Sequence, residues 1–537
     1  MKKQLYIITS ITVFSALFFN SCRSTDTENS ISNGASSVNI NLLGTEFSSS
    51  SSSAQASLNK GGIDFSTITT QKHSVMVNPS NVIIAELSSS LDGVGTSANA
   101  SLNMRPVAAV SGNPLTSGMK FRVIAYRSNG NYHTHQDYTV GQTAVPMMLD
   151  NGAGYNIVVY SYGTASLPAI SSGEQNNISS ASVNYDDANR DFMYQKISYT
   201  PVNDNNTLNI TLRHKVAQIT TILQNNTTQY PGNNITSISN ATISQHYSNG
   251  SFSLNTGSMS GRTASTNAII TFPTPSGTSV TASPIFINND TGGNLLGTFS
   301  AQVQVGSGSV QNILAQNAFR ITPETKSNLT INLRTCRAKV SATVTKDFMC
   351  HNMGADQSSD PFTPAAAIHG NKYQWGSNSN GKAIFYISQS DDQNNSGSIT
   401  NWNTVNTTIT NWSDGATKGT YDPCPTGYRV PTKDQIDGLI NNNTITYIGS
   451  NWTSTSTNYS AGIKVGNDLF LPAAGRRSNT DGALSERGSA GRYWTSSIDP
   501  NYTSYGAIGL LFSNGSISYN GVGYARTNGF SVRCIAQ

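Results

Sequence analysis

The sequence predicts a mainly β protein whose central part forms sandwiches of two sheets. Three observations point there: short runs of alternating polar and apolar residues, turn-forming residues between them, and the lack of a helical period over residues 61–334. The run Lys120-Phe121-Arg122-Val123-Ile124-Ala125-Tyr126 alternates outward polar with inward apolar side chains as far as Ile124, then meets the turn Ser128-Asn129-Gly130. Residues Tyr155 to Tyr162 and Leu208 to Leu212 repeat the pattern. Strands at such spacing bury one face each by stacking sheet on sheet.

At the front, Lys2 and Lys3 precede an apolar run from Leu5 to Phe19, too short to span a bilayer comfortably and suited to an export signal. Phe19, Asn20 and Ser21 stand before Cys22, and a small residue directly ahead of a lone cysteine resembles the lipobox cut by lipoprotein signal peptidase. Phe19 departs from that pattern, which prefers leucine. The resemblance implies a signal peptide over 1–21, an acylated Cys22 as first mature residue, and an outer-membrane anchor by lipid with the protein at the cell surface. Each buried methylene of such a chain contributes about 0.8 kcal/mol to anchoring. Residues 22–60 are rich in Ser, Thr and Asn, including Ser48 to Ser53, with few large apolar side chains to offset the entropy of ordering. The expectation is a mobile stalk.

Composition then narrows the function classes. Charged residues are 11% of the 537 and the net charge is +4, so no basic stripe for nucleic acid is visible. Of five cysteines, Cys22 leaves four: Cys336, Cys350, Cys424 and Cys534, an even late set that suits two disulfides in an oxidising compartment. Four cysteines allow three pairings. Cys336 with Cys350 and Cys424 with Cys534 is favoured, because the second pair ties an internal loop to the extreme C-terminus, a closure worth roughly 4 to 5 kcal/mol in the chain-entropy account. No C-x-x-C pair exists, and the spacings fit no zinc finger or ribbon.

The middle of the chain carries an order of features: the strand Phe121 to Tyr126 with its turn, the aromatic strand Tyr155 to Tyr162, Arg190-Asp191-Phe192-Met193-Tyr194, and Leu212-Arg213-His214-Lys215-Val216-Ala217-Gln218-Ile219. In this order it resembles the fimbrillin-like proteins of type V pili. The resemblance implies two transthyretin-like β-sandwich domains, 61–214 and 215–334, and fimbrial subunits as partners. Arg105, the candidate for maturation cleavage, is followed by Pro106, which hinders trypsin-like cutting, and a further domain follows where a stalk subunit would end. His214 and Lys215 read as a polar pair at a domain junction. Asp186, Asp187 and Asp191 read as a solvated turn, lacking the ordered spacing and glycine of a calcium loop.

All five tryptophans and the four late cysteines lie from Cys336 onward, which marks a boundary there. Thr432 and Gln435 form a capping box that predicts a helix from Lys433, with Ile436, Leu439 and Ile440 on one face. Six segments follow one another: Phe348 to Asp356, Tyr373-Gln374-Trp375-Gly376, Cys424 to Thr432, Leu471 to Arg476, Tyr493 to Ser497, and Gly529 to Cys534. Over 336–537 this order resembles the FISUMP family, which implies an α+β, C-type-lectin-like domain related to the formylglycine-generating enzyme. The redox cysteine pair of that enzyme has no counterpart here.

No catalytic set emerges. The serines near Trp494 lack a G-x-S-x-G context, His351 reads as a structural residue beside a disulfide, and residues 376–382 imitate a phosphate loop without its hydroxyl. The expectation is therefore a binding module or adhesin with no enzyme activity, no metal and no cofactor; the alternatives are a structural pilus accessory subunit and, after it, an enzyme acting on surface polymers. Trp375 and Trp494 are expected in the core. Trp402, Trp412 and Trp452, set among Asn, Thr and Ser, are the candidates for stacking on a glycan or filling a pocket of a protein ligand.

Overall fold

The computed structural model describes residues 34–48, 70–90, 116–202, 205–225, 233–378, 385–405, 412, 417–503, 506–518 and 523–537. Up to residue 335 the described chain is built of strands. They begin with β1 (Ala35–Glu46), β2 (Gln71–Asn78), β3 (Asn81–Ser89), β4 (Lys120–Arg127), β5 (Tyr132–Thr139), β6 (Met147–Asp150) and β7 (Tyr155–Ser161). Next come β8 (Ser182–Asn184), β9 (Met193–Tyr199), β10 (Asn205–His214), β11 (Ala217–Asn225), β12 (Ile235–Tyr247), β13 (Ser251–Ser253) and β14 (Met259–Ser260). The series closes with β15 (Ser265–Ile269), β16 (Ser279–Thr281), β17 (Ile285–Ile287), β18 (Gly297–Val305), β19 (Gln311–Phe319) and β20 (Lys326–Thr335).

A seven-stranded sheet in the order β5-β4-β7-β9-β10-β1-β6 makes the first unit. It curls on itself, since Val38 and Ile40 of β1 and Met147 of β6 share one core with Val123 of β4 and Ile157 of β7. The opposite face of β4 and β7 presents Ile124, Tyr126, Val158 and Tyr160, which pack with Val183, Phe252 and Leu254 around the small sheet β14-β13-β8. With both faces covered, β4 is buried along its middle, and Arg122, expected to point outward, is only 2% exposed. It stays charged inside because Asp137 and Glu174 come to it.

The second unit packs the path β16-β11-β20-β3-β2, with β17 also on β11, against β15-β12-β18-β19. Ile83, Ile219, Leu329 and Ile331 from the first layer meet Ile243, Phe299, Val303 and Ile313 from the second.

Two boundaries therefore differ from the sequence expectation. Residues 35–46 are a strand rather than stalk: β1 runs parallel to β10 with Val38 opposite Asn206 and Ile40 opposite Leu208, its buried Val38 and Ile40 alternating with exposed Asn39 and Asn41. Strands β2 and β3, expected in the first sandwich, belong to the second, where β3 pairs with β20 from Asn81 to Ser89. Pairing partners more than 150 residues apart leave no local trace in a periodicity reading. Cys22, the rest of the expected stalk apart from residues 34–48, and Arg105 lie outside the described residues.

Among the described residues, 336–537 form an α+β unit of short strands with two α-helices, α1 (Gln389–Asn394) and α2 (Lys433–Asn441). Helix α2 starts where the capping box places it: the Gln435 amide donates to Thr432 Oγ1 and the Thr432 amide to Gln435 Oε1, with Ile436 and Leu439 buried. Disulfides join Cys336 to Cys350 and Cys424 to Cys534, the favoured pairing.

The tip of the β2–β3 hairpin enters this last unit. The Cys336 and Cys350 amides donate to Ser80 O (2.7 Å) and Pro79 O (2.8 Å), and Val82 is part of the C-terminal core. Lys72 pairs with Asp360 at 2.6 Å, and the Arg334 guanidinium lies 3.7 Å from the Phe362 ring centre. Among the described residues no helix is long and apolar enough to cross a membrane.

Candidate functional site

In the C-terminal unit the segments Phe348 to Asp356, Tyr373 to Gly376, Cys424 to Thr432 and Tyr493 to Ser497, with Arg477, converge on the final stretch Gly529 to Cys534. Its backbone is taken up on all sides: Met349 N donates to Cys534 O, Met353 N to Val532 O, Trp494 N to Ser531 O, Tyr373 N to Phe530 O and Arg477 N to Gly529 O. Side chains lock the same joints. Trp494 Nε1 donates to Tyr373 O at 2.7 Å, Trp375 Nε1 to Thr495 O at 2.8 Å, and Tyr493 OH to Pro472 O at 2.9 Å. Arg533 donates two bonds to Asn352 Oδ1, and burial pushes its pKa down to about 10. These segments build the interior of the unit. Trp375 and Trp494 are fully buried, as expected.

The three tryptophans expected to meet a ligand are placed differently. Trp402 is 7% exposed and Trp412 1%. Trp402 donates to Thr527 O and Trp412 to Ser377 O and Tyr421 O, so each indole finds its partner inside. Trp452 is half-buried against Tyr447 and Phe512 with its Nε1 on Gly449 O. Both Trp402 and Trp412 turn inward despite the polar residues around them in sequence, which corrects the expectation for these two.

A concave site lies instead on the first unit. A cleft of about 790 Å³ is lined by Tyr160, Tyr162, the loop Ser166–Glu174, Tyr185, Asp186 and Asp187, among others. That size falls in the range of small-ligand sites. Its floor is fixed by Glu174, 3% exposed. The Glu174 carboxylate accepts from Tyr160 OH, from Arg122 at 3.2 Å, and from both the amide (2.7 Å) and hydroxyl (2.8 Å) of Ser171. Its carbonyl accepts from Tyr126 OH at 2.5 Å. Arg122 also donates twice to Asp137 and once to Pro168 O, so the loop is tied to β4 and β5 by charge-assisted bonds. Burial opposes the charge on Arg122, yet its bond to Asp137 and the field of Tyr160, Asp137 and Glu174 outweigh that and raise its pKa.

The walls are tyrosines and acids. Burial, reinforced by Glu174, pushes the hydroxyls of Tyr160 and Tyr162 well above the usual phenol range, so they donate rather than ionise. Tyr162 OH donates to Asn184 O at 2.7 Å. Tyr185 OH has no hydrogen-bond partner among the described residues although the ring is 6% exposed. Asp186 accepts from Ala188 N and Asn189 Nδ2. Asp187 accepts from Arg190 at 2.9 Å and from His246 Nε2 at 2.6 Å; burial opposes its ionisation, but those two donors hold it below the usual carboxylate range. His246 Nδ1 accepts from Asn288 N, which fixes the tautomer with the proton on Nε2. The arrangement offers fixed donors and acceptors around tyrosine edges, suited to holding a polar ligand. Sequence reading missed it because Tyr160 and Tyr162 read only as strand and no motif marks Glu174.

Asp191, read with Asp186 and Asp187 as a turn, instead pairs with His214 Nδ1 at 2.5 Å, and His214 stacks between Phe47 and Phe286. Lys215 pairs with Glu324, so both junction residues tie the first unit to the second. His351 is buried with Nε2 on Ser359 O. Residues 379–384, most of the phosphate-loop imitation, lie outside the described residues.

No family model matches the chain, and no curated protein matches it. Among solved structures, a candidate cell adhesion protein from Bacteroides fragilis is similar over 57% of this chain and 95% of its own, at 14% identity and TM-score 0.30. A fimbrial assembly protein from Parabacteroides distasonis is similar over 44% and 89%, at 10% identity and TM-score 0.27. The fimbrial anchor protein Mfa2 from Porphyromonas gingivalis is similar over 35% and 71%, at 12% identity and TM-score 0.22. Likenesses at this level carry no argument about fold or function.

Proposed function

We propose that this chain is an exported, Cys22-anchored surface lipoprotein that works as an adhesin or binding module, with the cleft around Tyr160, Tyr162, Tyr185 and Asp186 as its ligand site. The observation that carries the reading is that floor: a buried Arg122–Glu174–Tyr160 network holds a loop in place beside a tyrosine hydroxyl left without a partner. Preorganised polar groups of this kind lower the ordering cost of binding. The paired late cysteines support an oxidising compartment, with Cys22 the one cysteine left over for lipid. Under this reading the two sandwich units are transthyretin-like, the last unit is lectin-like, and the C-terminal interior is scaffold.

The ligand class that fits the walls is a neutral, hydroxyl-rich glycan. Hydroxyls exchange donors and acceptors with Asn184, Asp186 and the unpartnered Tyr185 OH, whereas an anionic sugar meets the Asp186 and Asp187 carboxylates. The test is binding of the full mature chain to arrays of neutral, sialylated and sulfated glycans, with Tyr185→Phe and Asp186→Asn beside it. Binding to neutral glycans, weakened about tenfold or more by either substitution with the melting temperature retained, is the expected result. Wild-type binding untouched by both substitutions would move the site elsewhere.

A second reading is a structural fimbrial accessory that packs against neighbouring subunits. Deleting residues 336–537 separates the two: loss of fibre assembly favours the accessory, loss of attachment alone the adhesin.

A further inference from the structure

We propose that the buried cationic cluster around Lys372 in the C-terminal unit is an occluded binding site for a small monovalent anion of the halide class.

Three cations gather on one carboxylate. Asp392 of α1, 1% exposed, accepts from Arg477 Nε at 2.7 Å and Arg487 Nη2 at 2.5 Å, and lies 3.5 Å from Lys372 Nζ. Arg477 and Lys372 are fully buried and Arg487 is 1% exposed. Lys372, Arg477 and Arg487 against Asp392 leave an excess of two positive charges while the ammonium is protonated.

The hydrogen bonding is lopsided in the same direction. Arg477 is saturated by Asp392, Asn395 O, Gly397 O and Gly482 O. Lys372 Nζ, Arg487 Nε and both ring nitrogens of His369, by contrast, have no hydrogen-bond partner among the described residues. His369 is fully buried, and its ring meets Tyr459 edge-on at 4.9 Å. The Arg487 guanidinium lies 5.2 Å from the same Tyr459 ring, so imidazole and guanidinium flank one aromatic.

Two kinds of guest could meet these orphaned groups, and charge separates them. A water molecule supplies hydrogen bonds but leaves the excess charge in a low-dielectric interior. A monovalent anion supplies acceptors and cancels one of the two excess charges. The charged and titratable groups coupled to Lys372 agree with this assignment. His369 is kept neutral, its pKa driven well down by burial and by Lys372 and Arg487. Asp392 is kept ionised, because Lys372, Arg477 and Arg487 outweigh its burial. Tyr459 contributes a phenol, and its OH accepts from Arg487 Nη1.

Burial lowers the pKa of Lys372 to about 8, with Asp392 opposing and the two arginines adding. An anion binds the ammonium form, so it must raise that pKa, and its affinity must fall as pH climbs past the pKa. The linkage gives a fall of about tenfold per pH unit once the free site is deprotonated.

The full chain crystallised from bromide at pH 7 tests the site directly. Anomalous bromine density within hydrogen-bond distance of Lys372 Nζ is expected; density without an anomalous signal means water and overturns the proposal. Thermal unfolding at constant ionic strength, with gluconate replaced by chloride or bromide, gives an independent reading. The melting temperature should rise saturably with halide at pH 7, lose that dependence at pH 9.5, and show none in Lys372→Met. A halide effect equal at both pH values, or retained in Lys372→Met, would be a general salt effect and overturn it. If Lys372→Met does not fold, His369→Leu takes its place beside the bromide crystal.

Discussion

The imidazole of His214 lies flat on the ring of Phe47, centroids 4.0 Å apart and planes 5° from parallel. Phe47 follows the first described strand and His214 ends β10, so the contact closes the first unit across 167 residues of chain. Truncating Phe47→Ala removes a ring only 5% exposed and should cost about 3 to 5 kcal/mol, read as a lower urea midpoint. A change within 0.5 kcal/mol would mean that this end of the chain is peripheral to the fold.

The two disulfides should rank by the chain they enclose. Cys424–Cys534 spans 110 residues and Cys336–Cys350 14, so Cys424→Ser/Cys534→Ser should lose roughly 4 to 5 kcal/mol and the shorter pair about 3. Tryptophan fluorescence follows this cleanly, because all five indoles lie in the C-terminal unit. Equal or inverted losses would contradict the ranking.

Buried tryptophans make a second optical test. With Trp375, Trp402, Trp412 and Trp494 inside, iodide should quench native fluorescence weakly, through half-buried Trp452 alone. Trp402→Ala should lower stability by about 3 to 5 kcal/mol and leave glycan binding in the cleft intact. Strong quenching of Trp402 would restore it as a surface residue.

A glycine in a helix interior is ordinarily improved by alanine. Gly438 of α2 is an exception, because a Cβ there would collide with the backbone carbonyl of Val340. Gly438→Ala should destabilise by about 1 to 3 kcal/mol, against a propensity gain of about 1. A rise in melting temperature would show that the helix is not seated as described.

Acid should weaken the fold through its buried imidazoles. Burial holds His246 and His351 below the ordinary 6.5, so well above that pH both states are neutral and nothing is lost. As pH falls through 6.5 the unfolded chain takes up protons that the folded one resists, and stability declines. Urea unfolding at pH 8, 6.5 and 5 should show a midpoint that falls slightly between the first two, as the unfolded imidazoles become half protonated, and further at the third. His351→Leu, if it folds, should flatten part of that decline.

What could be read from the sequence was local. The Thr432 capping box lies within four residues, and the strand patterns of Phe121 to Tyr126 and Tyr155 to Tyr162 within eight, so each was legible. The set of four paired cysteines was legible, whereas their connectivity was one of three possibilities, favoured on loop closure and found in the structure. Partners were not: Arg122 reads as an outward residue until Glu174, 52 positions later, folds over it. The same holds for Trp402, whose cover comes from Gly482 and Thr527, and for β1, whose partner begins at Asn205. The cleft belongs to this class, being assembled from β7, a loop and β8 with no motif of its own.

The central claim is that the chain folds outside the cytosol, tethered at Cys22 with its late thiols oxidised. Peptide mass spectrometry of the protein taken unreduced from membranes of its own cells tests this most directly. The account predicts fatty acid on Cys22 together with Cys336–Cys350 and Cys424–Cys534 linked peptides. An unmodified Cys22 with four free thiols would contradict it.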